Sequence, residues 1–134
     1  MLLLLTPACG VKIAQLPYLE YPYVAEIGFY YKVENINGSL KKETFKDDRI
    51  RSPFFFLLEV KDIENSGELA VSFYDKDGKR AARKVFAFGE EGQYYEYILF
   101  FDQVENLPAG KYHMTVFLND KLIYEDHIDV SVRV

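Results

Sequence analysis

Segments in which apolar and polar side chains alternate one by one restrict the fold of this chain more than any other feature. In the clearest of them one set of alternate residues is Tyr23, Ala25, Ile27, Phe29, Tyr31 and Val33. A period of two places such a set on one face of an extended strand. Strands are also predicted at 53–60, 69–74, 80–88, 94–104, 112–118 and 122–134, with a short edge strand within 39–46. The chain is therefore predicted to be all-β.

Short polar turns separate these strands, for example Asn37-Gly38 and Asp75–Gly78. The 134 residues suffice for one ordinary domain, and 11 Tyr with 11 Phe favour pleated, half-buried surfaces. About seven strands joined by short turns are typical of an antiparallel sandwich, with a small barrel as the alternative.

A corner motif precedes the strand at 112–118. Leu107, Pro108, Gly110 and Tyr112 resemble the loop of immunoglobulin-type and fibronectin-type sandwiches in which a tyrosine hydroxyl bonds to the upstream backbone. The pattern is similar to bacterial single-domain sandwiches of unknown function. This resemblance implies an immunoglobulin-like sandwich over 23–134, with 1–22 outside it, and implies little chemistry.

The first ten residues resemble the end of a bacterial lipoprotein signal peptide. An apolar run, Met1 to Leu5, leads to Ala8, Cys9 and Gly10, whereas Thr6 and Pro7 depart from the pattern and no basic segment precedes the run. The resemblance implies lipidation of Cys9 and a place in the cell envelope, or secretion. The alternative is an intracellular domain in which Cys9 is incidental.

The net charge of −5 disfavours nucleic acid and anionic membrane surfaces as partners, which leaves a lipid on Cys9 as the route to a membrane. Lys79, Arg80, Arg83 and Lys84 form a local basic cluster. We interpret this cluster as an edge that resists pairing with other sheets, rather than as an anion site.

Two histidines suggest a metal site. If Leu118 pairs with Leu122 across a three-residue turn, His113 lies directly opposite His127. Glu125 and Asp129 flank His127 on the same face and would complete a Zn²⁺-like set. A solvated cross-strand pair is the competing interpretation.

Catalysis finds little support, and no cofactor is predicted. No serine stands in a nucleophile elbow, and Cys9 lies outside the predicted domain. The run Asp75–Gly78 begins like a calcium loop, but Lys79 and Phe86 occupy positions that need oxygen ligands. A tight hairpin explains this run instead.

The tyrosine clusters favour binding. Alternation exposes some members of a set that exceeds what one core can hide, namely Tyr18, Tyr21, Tyr94, Tyr95 and Tyr97. Exposed tyrosines are good contact residues, although packing within the domain explains them as well. The functional hypothesis is a non-catalytic envelope or secreted domain that contacts protein or glycan.

Overall fold

Ten strands make up the part of the chain described by the computed structural model, which is residues 23–47, 49–64, 66–89 and 92–133. The strands are β1 (Val24–Tyr30), β2 (Lys32–Ile36), β3 (Ser39–Glu43), β4 (Arg51–Ser52), β5 (Phe54–Glu64), β6 (Gly67–Tyr74), β7 (Arg80–Phe88), β8 (Tyr94–Val104), β9 (Gly110–Leu118) and β10 (Lys121–Val132). The predicted all-β class is confirmed. Within these ranges no helix has the length and hydropathy needed to cross a membrane.

The strands form a three-stranded sheet in the order β1-β5-β8, a five-stranded sheet in the order β4-β10-β9-β6-β7, and the hairpin β2–β3. Pairing is antiparallel except at one edge, where Arg51 and Ser52 pair in parallel with Ser131 and Val132. The sequence predicts no strand over 47–52 and purely antiparallel pairing, and both predictions are wrong at this edge. Two residues are too few to show an alternation.

One hydrophobic core joins the inner faces of the two larger sheets. Phe54 and Phe56 of β5 lie against Phe73 of β6, with ring centroids 5.9 and 6.4 Å apart. All three side chains are fully buried, and each such burial contributes about 1.5–3 kcal/mol. At the far edges, Phe86 of β7 contacts Phe100 of β8 at 5.1 Å. The sheets therefore approach each other along β7 and β8.

The first predicted strand, 23–33, is divided in the structure. A register shift between Val24 and Glu26 turns Val24 and Ile27 inward, so the predicted inner set is wrong at its start. Tyr31 then separates β1 from β2. The Asn37-Gly38 turn is confirmed, with positive φ angles of 51° and 85°. Both central residues are left-handed, as a two-residue hairpin turn requires.

The hairpin β2–β3 lies against the outer face of the three-stranded sheet. Val33 and Leu57 are buried, at 4% and 0% exposure, yet neither belongs to the main core cluster. Lys42 of β3 places its Nζ 3.8 Å from Glu26 Oε2 and 5.4 Å from the centre of the Tyr30 ring. The hairpin therefore contacts the outer face of this sheet at β1, and Leu57 of β5 is buried on the same face.

Candidate interaction surface

The outer face of the five-stranded sheet presents three rows of side chains that run across β10, β9, β6 and β7 in that order. The strand registers define each row. The histidine row is His127, His113, Tyr74 and Arg80. The charged row is Glu125, Thr115, Ser72 and Arg83. The apolar row is Leu122, Phe117, Ala70 and Val85.

The apolar row is exposed along its length. Leu122, Phe117 and Val85 are 40%, 36% and 44% exposed, while the small Ala70 lies between the larger side chains. Exposed apolar side chains that form one contiguous row, rather than scattered singles, mark contact surfaces. This row is therefore a candidate contact site.

The charged row has opposite charges at its ends and two small hydroxyl residues in its middle. Ser72 and Thr115 are buried, although their side chains belong to the outer face. Thr115 Oγ1 has no hydrogen-bond partner among the described residues. Glu125, at the β10 end, is 44% exposed at its side chain. The row thus reaches solvent through its two charged residues.

Two guanidinium groups on β7 stand beside this row. Arg80 and Arg83 are exposed, and no carboxylate oxygen in the described ranges lies within 4.0 Å of either one. The other cation of this strand is directed elsewhere, since Lys84 Nζ lies 3.7 Å from Asp102 Oδ2 on β8. The basic cluster seen in the sequence is thereby divided between two surfaces.

An open hollow of about 390 Å³ lies between the apolar and charged rows and the β9–β10 turn. Its lining residues are Glu68, Ala70, Ser72, Tyr74, Arg80, Arg83, Phe117, Asn119 and Asp120. The small side chains of Ala70 and Ser72 lie on the strand between β7 and β9, and the larger Arg83 and Phe117 flank them. The hollow has the volume of a typical ligand pocket.

The predicted opposition of His113 and His127 is confirmed by the register of β9 and β10. The imidazole rings are stacked, with centroids 4.8 Å apart and planes inclined by 22°. The route to this register is different from the predicted one. The turn has two residues, because Leu118 pairs with Lys121, and a bulge at Ile123 adds the residue that restores the opposition.

The bulge also turns Leu122 outward. The three-residue turn predicted from the sequence would pair Leu122 with Leu118; instead Leu122 pairs with Phe117 on the outer face. The one signal in the sequence is that Ile123 and Tyr124 are adjacent apolar residues, which breaks the alternation. Sequence reasoning therefore missed the apolar row.

The structure brings part of the predicted metal set together. His113 Nε2 lies 2.7 Å from Glu125 Oε1, but Asp129 Oδ1 lies 3.7 Å from Lys111 Nζ, next to the strand edge. Within the described ranges no group of three or more His, Cys, Asp and Glu side chains is arranged to hold a metal ion. The histidines stack face to face and do not converge on a common point.

The predicted contact tyrosines of β8 divide into two kinds. Tyr94 and Tyr97 are 56% and 57% exposed. The Tyr94 hydroxyl donates to Asp62 Oδ1 over 2.7 Å, and this bond raises the pKa of Tyr94. Tyr95 instead packs against Phe88 at 6.3 Å, beside the core. Tyr18, Tyr21 and Cys9 lie outside the described residues.

The corner motif has the predicted geometry. Tyr112 donates a hydrogen bond from its hydroxyl to the Pro108 carbonyl oxygen over 2.6 Å. Leu107 is buried in the core, and its N–H donates to Ser52 Oγ over 3.1 Å. Gly110 begins β9. The corner therefore holds the loop between β8 and β9 against the core.

The Asp75–Gly78 turn is a hairpin, as predicted. Asp75 Oδ1 accepts hydrogen bonds from the N–H groups of Asp77 and Lys79, each over 2.9 Å. The carboxylate therefore serves the turn itself, as aspartate commonly does.

No family model and no curated protein matches this chain. Among solved structures it is similar to the Pseudomonas fluorescens alkylpurine DNA glycosylase AlkC bound to DNA containing an abasic site analog, with a TM-score of 0.40 and 15% identity over 80% of this chain and 31% of that chain. It is also similar to Listeria innocua beta-glucosidase in complex with glucose, with a TM-score of 0.39 and 12% identity over 84% of this chain and 17% of that chain. A third similar structure is the superoxide reductase (neelaredoxin) from Ignicoccus hospitalis, with a TM-score of 0.35 and 10% identity over 91% of this chain and 92% of that chain. The chain spans less than a third of the first two. At these similarities no function is transferred.

Proposed function

We propose that this chain is a non-catalytic binding domain that recognises a protein through the outer face of its five-stranded sheet. One observation carries the proposal: the exposed apolar row lies beside the open hollow and two guanidinium groups without a nearby carboxylate in the described ranges. Such a combination of apolar contact area and arginine is typical of protein interfaces. Glycan is the alternative partner.

Within this proposal the domain is an immunoglobulin-like sandwich. The sheet β1-β5-β8 takes the place of strands A, B and E, and β7-β6-β9-β10 takes the place of C′, C, F and G. The Tyr112–Pro108 hydrogen bond at the start of the F-like strand supports the same assignment. In this interpretation β4 is a short segment before β5 that pairs with β10 at the edge of the five-stranded sheet.

The chemistry of the face favours binding over catalysis. Ser72 and Thr115 are buried on this face. A substrate at the surface would therefore contact the surrounding side chains instead of these two hydroxyl groups. The apolar row and the two guanidinium groups bind but do not form covalent intermediates. We therefore propose a contact surface rather than an active site.

Site-specific photocrosslinking in cells tests this function. A benzoylphenylalanine residue in place of Phe117 is expected to give a defined covalent adduct, and Arg83→Glu is expected to weaken it. The matched control is the same residue in place of Tyr97, which is 57% exposed on the other sheet. An adduct at position 97 and none at 117 would move the contact surface to β8. No adduct at either position would remove the proposal.

We also propose that the domain is held in the cell envelope, or secreted, with a lipid on Cys9. This part rests on the resemblance of Met1–Gly10 to a lipoprotein signal. Radiolabelled palmitate is expected to enter the wild type and not Cys9→Ser. An unlabelled wild type would remove the lipid anchor from the proposal.

A metal-binding role is the second candidate, and the direct opposition of His113 and His127 favours it. Glu125 already contacts His113, so two imidazoles and one carboxylate share one part of the face. One ring would have to turn out of the stack before both histidines bind one ion.

A further inference from the structure

We infer that the partner recognised by this face is a second copy of the chain, bound face to face about a two-fold axis. The inference rests on the proposed function and names its partner. The axis runs parallel to the strands, between β9 and β6. A rotation of 180° about it lays each row on the same row of the second copy, with the strand order reversed.

The charged row is complementary to itself under this rotation. Glu125 stands at its β10 end and Arg83 at its β7 end. The reversal therefore places Arg83 of each copy opposite Glu125 of the other, and the two contacts are identical. Ser72 and Thr115 lie buried in the middle of the row, so neither side chain obstructs the approach of the second copy.

The apolar row is complementary in size. The reversal lays Phe117 of one copy over Ala70 of the other, and Leu122 over Val85. Ala70 lines the hollow of about 390 Å³, which accepts the phenyl ring. A large side chain thus meets a small one at both central positions, as close packing of two sheets requires.

The histidine row is compatible with the same arrangement. Tyr74 of one copy lies over His113 of the other, and Arg80 lies over His127. These are planar groups, which stack without a change of register. All three rows are therefore compatible with the same two-fold rotation.

The size of the face predicts a reversible dimer. β6 pairs with β9 over six residues, so the four-stranded part of the face is about 20 Å long and about 19 Å wide, which is roughly 380 Å² for each copy. The two faces together bury about 760 Å², which is the size of a weak, transient contact. We expect dimerisation to depend on protein concentration.

Sedimentation velocity over a concentration series tests the dimer. The wild type is expected to move from monomer to dimer as its concentration rises. Arg83→Glu and Glu125→Arg each place like charges opposite each other twice, so each alone is expected to weaken the dimer at least about tenfold. An equimolar mixture of the two variants restores both attractive contacts and is expected to dimerise again as a heterodimer.

The mixture makes the result independent of folding defects, because neither variant alone would recover if its fold were lost. Thermal melts of each variant check the fold separately. A wild type that stays monomeric, or a mixture that stays monomeric while the wild type dimerises, overturns the inference. If the wild type is monomeric and the Phe117 crosslink still captures another protein, the proposed function stands and only the second copy is wrong.

Discussion

The hydroxyl of Tyr112 donates a 2.6 Å hydrogen bond to the carbonyl oxygen of Pro108, four residues upstream. Tyr112 is 5% exposed, and burial raises the pKa of its hydroxyl. Tyr112→Phe leaves the ring in place and removes the bond, so we expect the free energy of unfolding to fall by about 1 kcal/mol. Urea denaturation measures it, with the exposed Tyr97→Phe as the matched control. Equal midpoints for both variants would contradict a stabilising corner.

The turn between β9 and β10 holds two non-glycine residues in the left-handed region, Asn119 at φ 48° and Asp120 at φ 68°. Glycine adopts this conformation without steric cost, so Asp120→Gly is expected to raise the free energy of unfolding by about 0.5 kcal/mol. Asn119→Gly is expected to give no such gain, because Asn119 Oδ1 accepts the N–H of Glu68 over 2.8 Å. Urea midpoints measure both; a larger gain at Asn119 would contradict the role of this bond.

This turn also shows how much of the fold could be predicted from the sequence. Alternation located the long strands, because each of them shows the period of two several times. The opposition of His113 and His127 was predicted from a turn that is one residue too long, and the bulge at Ile123 compensates for the difference. A bulge depends on packing against the neighbouring strand, which alternation within one strand does not report.

The candidate interaction surface could not be predicted from the sequence for a related reason. Val85, Ala70 and Phe117 come from three strands, and only the registers between these strands place them in one row. Burial of a side chain on an outer face is likewise not apparent from the sequence. Leu57 belongs to the face opposite the core, and it is nevertheless fully buried there. Period-two patterns assign a face but do not say what covers it.

The burial of Leu57 on the outer face of its sheet can be tested by truncation. Leu57 is 0% exposed, and Leu57→Ala is expected to lower the free energy of unfolding by about 2–5 kcal/mol, through lost burial and the cavity left behind. The control is Leu99→Ala on β8, since Leu99 is 40% exposed and its truncation is expected to change stability little. Guanidinium denaturation compares them. Equal losses for Leu57→Ala and the control would contradict the burial of Leu57.

Asp47 provides a pH prediction. Arg51 donates to both of its carboxylate oxygens, over 2.9 and 2.6 Å, and these bonds lower the pKa of Asp47 to about 2. The folded state therefore binds this proton more weakly than the unfolded state. Its small stabilising contribution is present above the ordinary value of 3.8 and is lost as the pH falls toward about 2.

Carboxyl ¹³C NMR measures the titration of Asp47 directly. Arg51→Gln is expected to move its pKa up toward the ordinary value, because the charged donor is removed. Arg49→Gln is the matched control, since Arg49 contacts Asp47 through its backbone N–H, which the substitution leaves in place. A pKa of Asp47 that stays low in Arg51→Gln would show that the ion pair is not its cause.

The histidine pair provides the last prediction, which belongs to the metal-binding alternative. If His113 and His127 bind one ion, Ni²⁺ stabilises the folded protein by mass action and raises its melting temperature. His127→Ala removes one ligand, so its melting temperature is expected to rise much less. Asp129→Asn is the matched control: Asp129 pairs with Lys111 at 3.7 Å, and this variant is expected to respond like the wild type. Identical shifts in the wild type and His127→Ala would end the metal hypothesis and leave the two rings as a stacked pair on the candidate interaction surface.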